Sequence, residues 1–288
     1  AKRVHARVDC DLDYESAAKG WMAAVLPLLG QLGEAPAPSL PADSAAAPAA
    51  PKEAAAPASK AHSRNNPFPA SLLVNRLLTS EGSGKEVRHF AISLEGSDLS
   101  YDAGDALGVI PTNCPALVSD VLAALGCDGE EAVKSPDGSE TSFRNALLRH
   151  YGVTQPTNAL LEAIAERAQS AELKNFLAPA NKAALEKHLH GREVMDFLLA
   201  HPLARFTPPE FVALLRKLTP RLYSIASSPK AHPGEVHLCV GIVRYDAHGR
   251  GRKGVCSTFL ADRVEGEVRI PTFTQVSHGF RLPTNLDT

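Results

Sequence analysis

The sequence predicts a β + α protein, an antiparallel β-barrel interrupted by a helical connecting subdomain. Three observations predict it. Apolar residues alternate with a period of two near residue 90 and again after Pro220, whereas from about 113 to 204 the apolar period is helical. An Ala/Pro-rich stretch sets a short N-terminal piece apart from this long unit. Strands, then helices, then strands again fit an antiparallel barrel that a helical insertion interrupts.

Residues 1–33 read as a strand end, a turn and a helix, with Ala18, Trp21, Met22, Val25 and Leu28 or Leu29 at helical spacing. One helix cannot build a core, so this piece is expected to be the C-terminal remnant of another domain. Residues 34–66 are Ala and Pro with scattered charge. Repeated Pro breaks helix and nothing large is present to pack, which predicts a semi-extended linker. From 67 to 288 a single unit is expected. In it Phe90, Ile92 and Leu94 alternate with Ala91 and Ser93, and Gly96 and Ser97 end the strand. Gly104 and Gly108 mark tight backbone near a second strand. Pro115 can open a helix capped by Thr112 or Asn113; Leu117, Val118, Val121, Leu122 and Leu125 form its apolar stripe, and Gly126 closes it. After Pro220, Val236, Leu238, Val240 and Ile242 alternate along a strand, and GEVRIPTF reads as another.

Composition narrows the function. With 44% hydrophobic residues in a chain of 288, a sizeable core is available. A formal net charge of -2 shows no basic excess for nucleic acid and no one-sign block for a membrane surface. The longest apolar runs are too short to span a bilayer, and the polar N-terminus, which lacks an initiator Met, is no signal peptide. Five widely spaced Cys with no CxxC pair argue against a disulfide framework or a structural zinc site and for a reducing, cytoplasmic setting.

Two segments carry candidate chemistry. In Arg221-Leu222-Tyr223-Ser224, strand alternation puts Arg221 and Tyr223 on one face and Leu222 and Ser224 on the other. A guanidinium beside an aromatic ring suits a ligand with both a phosphate and a flat ring system. In Gly254-Val255-Cys256-Ser257, the glycine permits close backbone approach and Ser257 is a natural N-cap; the helix start that follows suits a pyrophosphate. Either segment alone is commonplace; their succession within about forty residues, with the VHLCVGIVRY strand between them, favours one dinucleotide site. Other signals are weaker. Asp9, Asp11 and Asp13 alternate like calcium ligands, but Tyr14 and Gly20 stand where an EF-hand needs Gly and Glu. His188 and His190 lack a third partner, so no metal site is expected. Cys256 at a helix start would have a lowered pKa, although a small packing residue is the plainer reading.

RLYSIASSP, LCVGIVRYD and GVCSTFLADR together resemble the FAD-binding signature of the diflavin reductases, a ferredoxin-reductase-like family. NPFPASLLVNRLLT and YDAGD running into LGVIPTN resemble it too, and RVHARVDCDLDYESAAKGW looks like the last strand and helix of the family's flavodoxin-like FMN domain. Within the family, NPFPA and RLYSIASSP are most similar to the bacterial sulfite reductase flavoproteins. The resemblance implies an FAD-binding barrel in which Arg221 holds phosphate, Tyr223 stacks on the isoalloxazine, and Ser224 lies near the reactive ring nitrogen. It implies that Cys239, Val240, Gly241 and Tyr245 line the adenine and phosphate side. Gly254, Val255, Cys256 and Ser257 would cradle the pyrophosphate, with Leu222 in the same strand signature and Thr154 adding a contact from the helical insertion. FMN and NADPH are implied for neighbouring domains, which are expected to lie outside this chain, and a sulfite reductase haemoprotein subunit is the implied acceptor. A cytochrome P450 reductase-like or nitrate-reductase-linked member, or an interaction module without cofactor, remains an alternative.

Overall fold

The computed structural model describes residues 20–28 and 62–277. Two compact units divide the chain at Pro57 and Ala58. In the first, residues 20–28 form a helix, α1, on which Val25 is buried and Trp21, Met22 and Leu26 are exposed. The expected strand end before it, and residues 34–61 of the expected linker, lie outside the described residues. His62 to Asn66 make a turn: Ser63 pairs with Asn66, and the His62 backbone amide and ring both bond Asp98.

The second unit is mixed α/β with antiparallel sheets. One has four strands in the order β1 (Phe68–Ala70), β11 (Ile270–Gln275), β4 (Ala106–Val109), β7 (Arg221–Ser224). A second has three, β2 (Leu72–Leu77), β3 (Glu86–Ser93) and β8 (Glu235–Ile242). Two hairpins complete the set, β5 (Ala132–Lys134) with β6 (Glu140–Ser142), and β9 (Arg244–Ala247) with β10 (Arg250–Lys253). The described strands therefore form open sheets and no closed barrel. Alternation dictates the burial: on β8 the side chains of Val236, Leu238, Val240 and Ile242 enter the core while Cys239 and Gly241 face outward. Phe90 and Ile92 of β3, Leu107 and Val109 of β4 and Ile270 of β11 join them, so both large sheets share one core, capped by Cys256, Phe259 and Leu260 of helix α9 (Val255–Asp262). Gly108 is required by this packing, because a Cβ there would stand 2.3 Å from the Phe273 ring.

Between β4 and β7 the chain runs through α2 (Pro115–Leu125), α3 (Phe143–Arg149), α4 (Asn158–Arg167), α5 (Ala171–Leu177), α6 (Lys182–Leu189), α7 (Val194–Ala200) and α8 (Pro208–Ala213). Their buried side chains, with Val133 of β5 and connecting residues such as Val153, Phe206 and Leu215, form a cluster distinct from the sheet core. Helix α2 starts at Pro115 and ends on Gly126 in the left-handed region at φ 72°. Its N-cap is Cys114, not Thr112 or Asn113. Asn113 is buried instead, and its amide donates to the carbonyls of Leu147 (2.6 Å) and Tyr151 (2.7 Å), tying α2 to the end of α3. In GEVRIPTF only Ile270 onward is strand. No helix among the described residues is long and apolar enough to cross a membrane, and the four described cysteines are free.

Candidate functional site

A cleft of about 520 Å³ opens where β7, the β9–β10 hairpin, the start of α9 and the 189–193 connection converge. Arg192, Arg216, Arg221, Arg252 and Lys253 line it, and Glu193 is the one carboxylate among the described lining. Thr154, Tyr245, Gly254 and Val255 complete the part that the sequence anticipates.

Each element contributes for a local reason. β7 is the edge of its sheet, bonded only to β4, with Arg221 opposite Val109. Arg221 is exposed and donates through Nη1 to the carbonyl (2.9 Å) and hydroxyl (2.7 Å) of Thr219. Its Nε and Nη2 make no hydrogen bond among the described residues. The β9–β10 hairpin turns at His248 and Gly249, both at positive φ, which presents Tyr245 and Lys253 on strands flanking the cleft. Helix α9 is capped by Gly254 with no side-chain cap. Its first intrahelical bond runs from the Thr258 amide to the Gly254 carbonyl, so the amides of Val255, Cys256 and Ser257 lie ahead of it. A helix start carrying free amides and a partial positive charge, ringed by guanidinium groups, is chemically suited to an anion with several oxygens.

The far wall is held by a buried charge network. Arg252 is 2% exposed and donates to the Gly191 carbonyl (3.1 Å), Glu193 (3.3 Å) and Asp196 (2.7 Å). Arg250 adds a bond to Asp196 (3.2 Å), and Glu193 and Asp196 form the capping box of α7. Burial pushes the Glu193 carboxyl above its ordinary range, against the pull of Arg252 and Arg250. At Asp196 burial acts in the same upward sense but loses to the Glu193 amide and the two guanidinium groups, so its carboxyl stands low.

The structure brings Thr154, Arg221, Tyr245, Gly254 and Val255 into one cleft and places the other anticipated residues elsewhere. Leu222 and Ser224 are exposed on β7 outside its lining. Tyr223 is half-buried against the sheet core; burial first, and then the adjacent Cys256 thiol, raise its phenol. Cys239 and Gly241 face outward from β8, whereas the Val240 side chain is buried in the core. Ser257 is not the cap of α9. It is buried in the first turn and its hydroxyl accepts from the Val243 amide (3.2 Å). Gly254 is needed for internal packing, since a Cβ would stand 2.6 Å from Ser257 Oγ and 2.7 Å from Val243 Cβ. The Cys256 thiol is pushed up to about 11 by burial, which outweighs the bond to Tyr223 and the charges of Arg221 and Arg263. His188 stacks on Phe176 at 4.2 Å, and the His190 carbonyl accepts from His248 Nε2 (3.0 Å). Sequence reasoning missed Arg192, Glu193, Arg216, Arg252 and Lys253. The run RGRK ahead of Gly254 was the available signal for two of them.

The sulfite reductase [NADPH] flavoprotein alpha-component of Bacillus subtilis is 42% identical over all of this chain, which covers 46% of that relative. The protein of the same name from Neisseria meningitidis serogroup C is 41% identical over 98% of the chain, and that of Serratia proteamaculans 38% over 100%, again with 46% of each relative covered. The chain thus spans about half the length of the curated relatives it matches. The profile of the FAD binding domain matches residues 60–259, a span that contains every strand of the second unit except β11, the helices α2–α8 and the whole lining of the cationic cleft. A match over well over half of the sequence, on the residues that build the cleft, places the chain in the FAD-binding domain family.

Proposed function

We propose that this chain is the FAD-holding electron-transfer module of an NADPH-dependent diflavin reductase of the sulfite reductase type. The observation that carries the reading is the cationic cleft at the start of α9, bounded by Arg221 and Tyr245. Its donor set fits FAD: Arg192, Arg216, Arg221 and Lys253, with a run of free amides, for a pyrophosphate, while Arg252 stays engaged in the buried network behind them, and an exposed phenol stands at the edge for a flat ring. Bound FAD supplies the conversion between two-electron and one-electron chemistry.

The chain's own residues would bind and orient it. Arg221 donates charge-assisted bonds to phosphate from the nitrogens that Thr219 does not engage. The amides of Val255, Cys256 and Ser257 meet the pyrophosphate, while the Gly254 and Ser257 side-chain positions serve to seat α9 against Val243. Tyr245 packs on the adenine side. Tyr223 flanks the isoalloxazine, and the Ser224 hydroxyl, exposed on the edge strand, stands ready near the reactive nitrogen. Cys239 and Gly241 contribute from the outward face of β8 and Val240 through its backbone. Thr154 contacts the cofactor from the helical side. In this reading the two large sheets act as a barrel-like body and α2–α8 as an inserted subdomain. Residues 1–33 belong to an FMN domain joined through the 34–66 linker. An NADPH domain and a haemoprotein subunit are the partners of the whole protein, which works in the cytoplasm.

The test is calorimetric titration of the flavin-free chain with FAD and with FMN. Clear preference for FAD is expected, because FMN lacks the second phosphate and the adenosine that the α9 start and Tyr245 would meet. Equal affinity for the two would overturn the assignment.

A further inference from the structure

A second cluster of chemistry-bearing side chains lies on the outward face of the three-stranded sheet. His232 lies in the loop before β8, three residues ahead of Glu235, which is the first residue of β8, and His237 is the third. Alternation puts Glu235 and His237 on one face, and the His232 ring lies 4.1 Å from the His237 ring. One ligand atom from each of the three lies within 4.8 Å of the others. The Glu235 carboxylate and His237 Nε2 are already 2.9 Å apart.

We propose that His232, Glu235 and His237 form a binding site for a borderline divalent cation of the zinc type, with solvent in the fourth position. Two imidazoles and a carboxylate are a ligand set that holds tetrahedral zinc with one position open. Ligand atoms about 2.0–2.1 Å from a common tetrahedral ion stand about 3.4 Å apart, so small side-chain rotations close the site. Two further observations point the same way. The His89 Nδ1, on the neighbouring strand and edge-on to His237 at 5.0 Å between ring centres, is buried with no hydrogen-bond partner among the described residues. A bound ion and its water would give this nitrogen a partner. The loop is also held in place beforehand. The buried Tyr101 hydroxyl bonds both Ser227 Oγ (2.7 Å) and the Glu235 carbonyl (2.9 Å), and Ser227 Oγ accepts from the His237 amide (3.0 Å). The His232 amide bonds the Ser228 carbonyl at 2.9 Å. The ligands are thus presented by a rigid strand and a pinned loop, which lowers the cost of ordering them on binding. The ion would clamp the 228–234 loop to β8.

The experiment uses the full chain, purified without a histidine tag, in competition for Zn²⁺ with a chromophoric chelator, and Co²⁺ titration followed by visible absorption. One equivalent is expected, with Co²⁺ giving the intense bands of a tetrahedral site. H232A, E235Q and H237A should each weaken binding by at least roughly 10–100-fold, the range seen even for residues that only support metal ligands. H232A changes an exposed side chain, so its fold is expected to survive, with circular dichroism as the check. Cys239 is exposed and sits opposite His89 in the strand register, so C239S is the control and should bind like the parent. Unchanged affinity in H232A and H237A would overturn the site, as would loss of binding in C239S, which would assign the ion to the thiol.

Discussion

Replacing Arg252 by Met tests the buried network that walls the cleft. Methionine keeps much of the apolar stem and removes the charge. Arg252 is 2% exposed and bonds a carbonyl and two carboxylates. Asp196 would keep Arg250 and the Glu193 amide (2.6 Å), whereas Glu193 would lose its close guanidinium. Breaking one side of a buried pair costs about 3–5 kcal/mol, which at about 2–4 °C per kcal/mol lowers Tm by roughly 6–20 °C. The loss depends on pH. Burial already holds the Glu193 carboxyl above its ordinary 4.5. A folded state that takes up a proton more readily than the unfolded chain is favoured at low pH and loses that advantage as pH rises through the folded pKa. Without Arg252 the carboxyl rises further, so R252M should be nearest the parent at about pH 5 and furthest from it at about pH 8. Asp196 acts oppositely: its lowered carboxyl gives stability that is lost only as pH falls below its ordinary 3.8. Urea unfolding followed by circular dichroism at about pH 5 and about pH 8 reads the Glu193 effect, with the Asp196 contribution fully present at both, and E193Q added to R252M should restore part of the loss. An R252M protein within about 1 kcal/mol of the parent at high pH, or no recovery in the double variant, would refute the reasoning, since a surface substitution costs about that little.

Three further outcomes are expected. Gly254→Ala should destabilise by about 1–3 kcal/mol through overpacking against Val243 and Ser257, although its φ of -60° suits alanine; a neutral result in thermal unfolding would mean that α9 shifts freely. Alkylation at neutral pH mapped by mass spectrometry should label exposed Cys239 well before Cys256, whose thiol is buried and pushed up to about 11; early labelling of Cys256 would show that the α9 start opens readily. Arg221→Ala should weaken FAD binding roughly tenfold to hundredfold, the worth of one charge-assisted bond, while Ser224→Ala should leave it nearly unchanged; equal losses would remove the separate roles given to the two residues.

Much of the strand framework was legible because burial follows alternation directly. Val236, Leu238, Val240 and Ile242 could be assigned inward from the period alone. The α2 stripe and its Gly126 stop were equally local. The hairpins were missed. β5 and β6 are three residues each, too short for a period, and the β9–β10 turn rests on His248 at positive φ, which is an uncommon residue there. Helix caps were misplaced for a related reason. Asn113 and Ser257 have side chains that suit a cap, but tertiary partners took them: Asn113 bonds the Leu147 carbonyl in α3 and the Tyr151 carbonyl just after it, and Ser257 bonds the Val243 amide.

Sequence by itself determined which residue types could meet a phosphate and a ring, and in what order along the chain they come. Arg221, Tyr245 and the Gly254 turn are separated by short distances on strands and a helix start, so their neighbourhood follows from local geometry. Only the tertiary structure decided what shares the cleft with them. Arg192 and Glu193 arrive from the α6–α7 connection, about sixty residues before Arg252, and no local period announces that meeting. The same holds for His89 beside His237, which a strand register joins across nearly 150 positions. Charge and ring contacts between distant segments depend on which surfaces the two cores bring together, and those cores are chosen by burial of apolar area, which is indifferent to the polar residues carried on the outer faces.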